Sequence, residues 1–127
     1  MSIKYIYHKS ANYILTKVTD IASVKQVETY IDSIINDQEI LQPFYEIVDF
    51  TEIKNYDFGY YQSESIINLL IKLKNKKPYL GTCLVADTDL SKGMSNIFRV
   101  IGEDKEIDIK VFNSLTDSIN YINEKNA

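Results

Sequence analysis

Phe44-Tyr45-Glu46-Ile47-Val48-Asp49-Phe50-Thr51, followed closely by Asn55-Tyr56-Asp57-Phe58-Gly59, is the stretch that decides the fold. The first part is nearly continuous in apolar residues, as expected for a central strand covered on both faces, and it ends on an acid. The second part brings another acid and a glycine to the start of a long helix. In an open α/β sheet, ligands and partners gather where strands end and the next helices begin. These residues therefore locate a functional edge without specifying an activity.

Working outward, Ile3–His8 alternates and predicts a strand, and residues 12–19 predict a second. Lys9-Ser10-Ala11 is short enough to join the two as an antiparallel hairpin. Ser23, with Gln26 three residues on, has the form of a capping box. It opens a helix to about Asn36 whose apolar stripe is Val24, Val27, Ile31, Ile34 and Ile35. Phe44–Phe50 is the third strand. Gly59 or Tyr60 opens a helix to about Lys76, with Ile66, Ile67, Leu69, Leu70, Ile71 and Leu73 on its apolar face. Lys72, Lys74, Lys76 and Lys77 suit its negative C-terminal end, and Pro78 stops it. Tyr79–Ala86 is the fourth strand. Leu90–Ile101 is a helix with Met94, Ile97, Phe98 and Ile101 as its stripe. Ile107–Phe112 is the fifth strand, and a helix over Leu115–Lys125 is capped by Asn113 or Ser114. The order ββαβαβαβα implies one α/β domain over residues 1–127. Its five-stranded sheet is mostly parallel, with an antiparallel N-terminal hairpin strand and four helices.

Composition narrows the function. A formal net charge of −4 lacks the basic face that general nucleic-acid binding requires. No apolar run is long enough to span a bilayer, so no integral membrane contact is expected. The N-terminus enters a strand pattern directly and does not read as a signal peptide. The lone cysteine, Cys83, cannot form an internal disulfide, and a cytoplasmic location is the default expectation. Ten tyrosines and no tryptophan suggest half-buried rings with their hydroxyls in water.

The element order resembles the SpoIIAA-like (STAS) superfamily. Val48-Asp49-Phe50-Thr51 is similar to the strand end of its anti-sigma-factor antagonists, where an Asp precedes a small hydroxyl residue. Asp57-Phe58-Gly59 falls where those proteins carry an Asp-Ser-Ser-Gly motif. Phe58 or Gly59 takes the position of the phosphorylatable serine, and neither can accept a phosphate. The nearest hydroxyls are Thr51 and Ser63. Cys83–Asp87, Gly93-Met94 and Val111–Leu115 resemble small uncharacterised bacterial STAS/SEC14-like proteins, with Asn96 in place of an arginine. The resemblance implies a regulatory protein-interaction module without the phospho-switch. Its SEC14-like branch implies, as the alternative, a carrier or sensor of a small apolar ligand or lipid.

No residue set calls for catalysis. His8 is the only histidine and sits far in the pattern from the acids. Cys83 lies in an apolar strand and reads as an inert thiol. No zinc-type site, Walker motif or Gly-x-Gly-x-x-Gly exists. Asp49, Asp57, Asp87 and Asp89 converge in the pattern at one sheet edge, where oxygen ligation of a divalent cation weighs against helix capping by Asp57 and Asp89 and solvation of the others. The Lys72–Lys77 cluster reads as a solvated helix end or as a contact for anionic lipid heads.

The sequence thus predicts a non-enzyme with no cofactor and no metal. Its expected interaction surface comprises Asp49, Thr51, Tyr56, Asp57, Phe58, Gly59, Tyr60, Asp87 and Lys92. A protein is the expected partner, with a homodimer across the edge strand Ile3–His8 and an apolar small molecule as further candidates.

Overall fold

The elements run β1 (Ile3–His8), a 3-10 turn (Lys9–Ala11), β2 (Tyr13–Ala22), α1 (Val24–Ile35), β3 (Phe44–Tyr56), α2 (Tyr60–Lys76), β4 (Tyr79–Val85), α3 (Asp89–Asp104), β5 (Ile109–Phe112) and α4 (Leu115–Asn126). This computed structural model describes residues 3–56 and 59–126, apart from the side chains of residues 21, 22 and 56.

The strands occupy the sheet in chain order, β1-β2-β3-β4-β5. β1 pairs antiparallel with β2, and every later pair is parallel. A sheet that grows in one direction through right-handed crossovers puts all its crossover helices on one face. So α1, α2 and α3 share a face, and only α4, which follows the last strand, covers the other. Two apolar clusters result. Ile14, Val18, Val48, Phe50, Leu84 and Ile109 lie under Ile31, Ile34, Ile67, Leu70, Met94, Phe98 and Ile101. On the opposite face, Tyr13, Tyr45, Ile47, Cys83 and Val85 pack with Ile122. The alternation of these residues along β2, β3 and β4 is the pleat of a sheet buried on both sides.

Local chemistry sets the helix ends. The backbone N–H of Gln26 donates to Ser23 Oγ at 3.3 Å while the backbone N–H of Ser23 donates to Gln26 Oε1 at 3.0 Å, a complete capping box. Thr88 caps α3 in the same way, accepting from the backbone N–H of Ser91 at 3.1 Å. Asp89 is therefore a first-turn residue complementing the helix dipole and not the cap expected of it. Ser114 accepts from the backbone N–H of Asp117 and opens α4.

Lys72 and Lys77, near the end of α2, are engaged with the protein. Lys72 pairs with Asp32 on α1 at 3.0 Å. The Lys77 ammonium donates to the carbonyls of Asp37 and Ile40, tying down the α1–β3 connection.

Three expectations need correction. β2 and β3 extend to Ala22 and Tyr56, well past Thr19 and Phe50. The two strands continue pairing with each other through irregular register, Thr19 with Glu52 and Ala22 with Tyr56, beyond the point where β4 ends opposite Asp49. Their polar outer residues had hidden this ribbon from an apolar pattern. Ion pairs Lys17–Glu52 and Lys54–Asp20 line it, both exposed enough to add little stability. Second, β5 starts at Ile109, two residues later than expected. Third, Ile97 is 38% exposed and lies off the buried stripe of α3.

α3 approaches β5 closely at Gly102. A Cβ there would sit 2.7 Å from Ile109 Cδ1 and 3.2 Å from the Ile107 carbonyl oxygen. Gly102→Ala is expected to lower stability by about 1–3 kcal/mol through overpacking, read as a lower urea midpoint with unchanged slope. An unchanged midpoint would show that α3 shifts freely over β5.

Candidate functional site

β3 outruns β4, whose pairing ends at Asp49, and α2 and α3 start soon after these two strands. Asp49 faces the end of β4 and turns back on its own strand. Its Oδ1 accepts from the Thr51 backbone N–H at 2.9 Å and from Thr51 Oγ1 at 2.7 Å. Gly59 is the N-cap of α2, and its backbone N–H donates to Gln62 Oε1 at 2.8 Å. Tyr60 and Tyr61 follow, 62% and 80% exposed, with their rings edge to face at 6.2 Å. Asp87 and Lys92 are exposed near the start of α3. The expected residues Asp49, Thr51, Gly59, Tyr60, Asp87 and Lys92 thus lie along the carboxyl side of the sheet. Asp57, Phe58 and the side chain of Tyr56 lie outside the described residues.

Among the described residues, no three His, Cys, Asp or Glu side chains gather as a metal site. Ser63 is buried at 1% exposure, inside α2. Cys83 is a free, buried thiol pushed up to about 12, first by burial and then by the Asp108 charge. His8 stacks on Tyr13 at 4.8 Å.

A second site, not evident from the sequence, lies inside the larger core. Glu46 is 1% exposed, in the middle of β3. Tyr30 on α1 donates to Glu46 Oε2 at 2.5 Å, and Thr82 on β4 donates to Oε1 at 2.6 Å. Thr16 on β2 joins the Tyr30 hydroxyl at 2.5 Å, and Tyr79 joins Thr82 at 2.5 Å. One carboxyl and four hydroxyls therefore form a continuous chain across three strands and a helix. Burial pushes the Glu46 carboxyl up from its ordinary value, against the opposing pull of Thr82 and Tyr30. Burial, and then the Glu46 charge, push both tyrosines well above theirs. The signal available in the sequence was an acid embedded in an apolar run and a tyrosine, Tyr30, on the same helical stripe as Val27 and Ile34. A cavity of about 60 Å³ adjoins the cluster between the sheet and the helices, lined by Thr16, Tyr30, Glu46 and Thr82 together with apolar side chains.

No helix among the described residues is long and apolar enough to cross a membrane. No protein-family model and no curated protein matches the chain. Solved structures do match. An uncharacterised DUF3478-family protein with a SpoIIAA-like fold from Shewanella loihica PV-4 superposes with a TM-score of 0.59 at 16% identity, over 94% of this chain and 91% of its own. The unphosphorylated anti-sigma factor antagonist SpoIIAA superposes with a TM-score of 0.57 at 11% identity, over 95% of this chain and 97% of its own. With two such structures superposing over almost the whole length of both chains, the chain has the SpoIIAA-like α/β fold.

Proposed function

We propose that this chain is a non-enzymatic regulatory module that binds a protein partner through the carboxyl edge of its sheet. The observation that carries the reading is the exposure of Tyr60 and Tyr61 at the first turn of α2, shortly after β3. Two adjacent tyrosines more than half in water leave a large apolar surface uncovered, and tyrosine is a favoured interface anchor. Leu90, 40% exposed at the start of α3, adds to the same side of the molecule. The likeness to the antagonist SpoIIAA supports a regulatory role. The burial of Ser63 and the hydrogen bonding of Thr51 to Asp49 support regulation without a phosphorylated hydroxyl at this edge. Among the described residues no nucleophile is set beside a base, which supports the non-enzymatic reading.

Tyr60→Ala combined with Tyr61→Ala is expected to abolish capture of the partner from lysate of the native host, with the circular dichroism spectrum and urea midpoint unchanged. Both side chains are mostly exposed, so the folded state loses little burial. A partner list identical to that of the wild type would sink the reading.

A further inference from the structure

The cavity beside Glu46 lies in the larger core, under α1 and α2, on the side of the sheet away from α4. It is unrelated to the tyrosine edge. At about 60 Å³ it has room for water, so the first question is whether water is its natural occupant. Buried water needs two to four polar partners. The polar groups at this wall are already used on one another. Four links join Thr16, Tyr30, Glu46, Thr82 and Tyr79. The four hydroxyls supply one hydrogen each, so all the links are satisfied when Glu46 accepts from both sides. No hydroxyl hydrogen is left to point into the space. The rest of the wall is carbon, from residues such as Val48, Ile67, Leu70 and Leu84, and polar atoms contribute almost nothing to its surface. Among the described lining residues none is Lys, Arg or His, and Glu46 is the single acid, so nothing there would hold an ion.

We propose that this cavity is a binding site for a small, uncharged, apolar molecule of a few heavy atoms, held by shape and dispersion and not by hydrogen bonds. Unfilled, its lining side chains lose contact partners on one side, and a guest of matching size restores those contacts. Size sets the upper limit. Pockets for drug-sized ligands are roughly 300–1,000 Å³, and an engineered apolar cavity of about 150 Å³ takes benzene. A space of about 60 Å³ takes a guest of the size of xenon or a short alkane. It is too small for a lipid chain, which narrows the small-molecule reading of the sequence to a much lighter class of ligand. With the four hydroxyl hydrogens used within the cluster, this wall offers no free hydroxyl donor to a charged guest, and an unpaired charge is costly to bury.

The test is methyl-detected NMR of the full chain under xenon pressure. Saturable shifts are expected for the methyls of Ile31, Val48, Ile67 and Leu84, with the tyrosine edge unaffected. Val48→Ile, which adds a methylene at the cavity wall, is expected to fold and to lose those shifts. If it fails to fold, Val27→Ile fills the space from the α1 side and takes its place. Glu46→Gln is expected to keep the xenon response, because shape does the holding. Shifts that rise linearly without saturating, or that persist in a folded cavity-filled variant, would overturn the proposal. So would loss of the response in folded Glu46→Gln. None of these results depends on whether Tyr60 and Tyr61 bind a partner.

Discussion

Glu46→Ala is expected to lower the unfolding free energy by about 2–6 kcal/mol, because it orphans two buried hydroxyls at about 1–3 kcal/mol each. Tyr30 and Thr82 both lose their acceptor inside the core. A domain of this kind has roughly 5–15 kcal/mol in total, so the variant is expected to sit near the edge of folding. Urea unfolding followed by circular dichroism measures the loss. Glu46→Gln keeps an oxygen for one hydroxyl and is expected to cost less. A Glu46→Ala protein as stable as the wild type would show that the hydroxyls find other partners and that the cluster is not an energetic unit.

The same carboxyl makes stability depend on pH with a defined sign. Burial raises the Glu46 pKa in the folded state above its ordinary value of 4.5. The folded chain therefore holds this proton more tightly than the unfolded chain does. The contribution is fully present below the ordinary value and is lost as pH rises through the raised one. The stability of the wild type relative to Glu46→Gln is thus expected to decline across that interval and to be flat outside it. Paired urea titrations at several pH values check this. A constant difference would mean that Glu46 is ionised in the fold as readily as in water, and one that grows with pH that it is ionised more readily.

Phe44→Ala carries the other large effect. Phe44 is fully buried at the start of β3, its ring edge to face with Tyr79 at 6.1 Å. Its backbone N–H donates to the Pro78 carbonyl, which fixes the strand beside the end of α2. Truncating a buried phenylalanine costs about 3–5 kcal/mol in lost transfer energy and residual cavity. Tyr79 is both the packing neighbour of Phe44 and the end of the Glu46 chain. Phe44→Ala and Glu46→Gln are therefore expected to be non-additive in a double-mutant cycle, since they share a partner. Strict additivity would place Tyr79 outside any coupling between the ring packing and the polar cluster.

The fold was legible from the chain because its signals are local. The Ser23–Gln26 capping box, the arrest of α2 at Pro78 and the alternation of Ile3–His8 each depend on residues a few positions apart, and each lies where the sequence placed it. Where β2 and β3 run long, polar residues such as Thr19, Asp20 and Glu52 carried no strand signal, and cross-strand pairing alone kept them extended. The carboxyl edge was legible for the same topological reason: α2 and α3 must begin where β3 and β4 end. That Tyr60 and Tyr61 both face water at the start of α2 needed the helix itself.

The sequence by itself determined the order of the elements, their caps and the faces most of them bury, because 2.0 and 3.6 residue periods are properties of neighbours along the chain. Only the tertiary structure decided that Glu46 is an interior acid with four hydroxyls around it and a cavity beside it. Residues 16, 30, 46, 79 and 82 come from three strands and a helix, and they meet because the β3–β4 register sets Glu46 opposite Thr82. A slip of one residue in β3 would turn Glu46 to the opposite face of the sheet, toward α4. Register is a property of the assembled sheet, and no single segment encodes it.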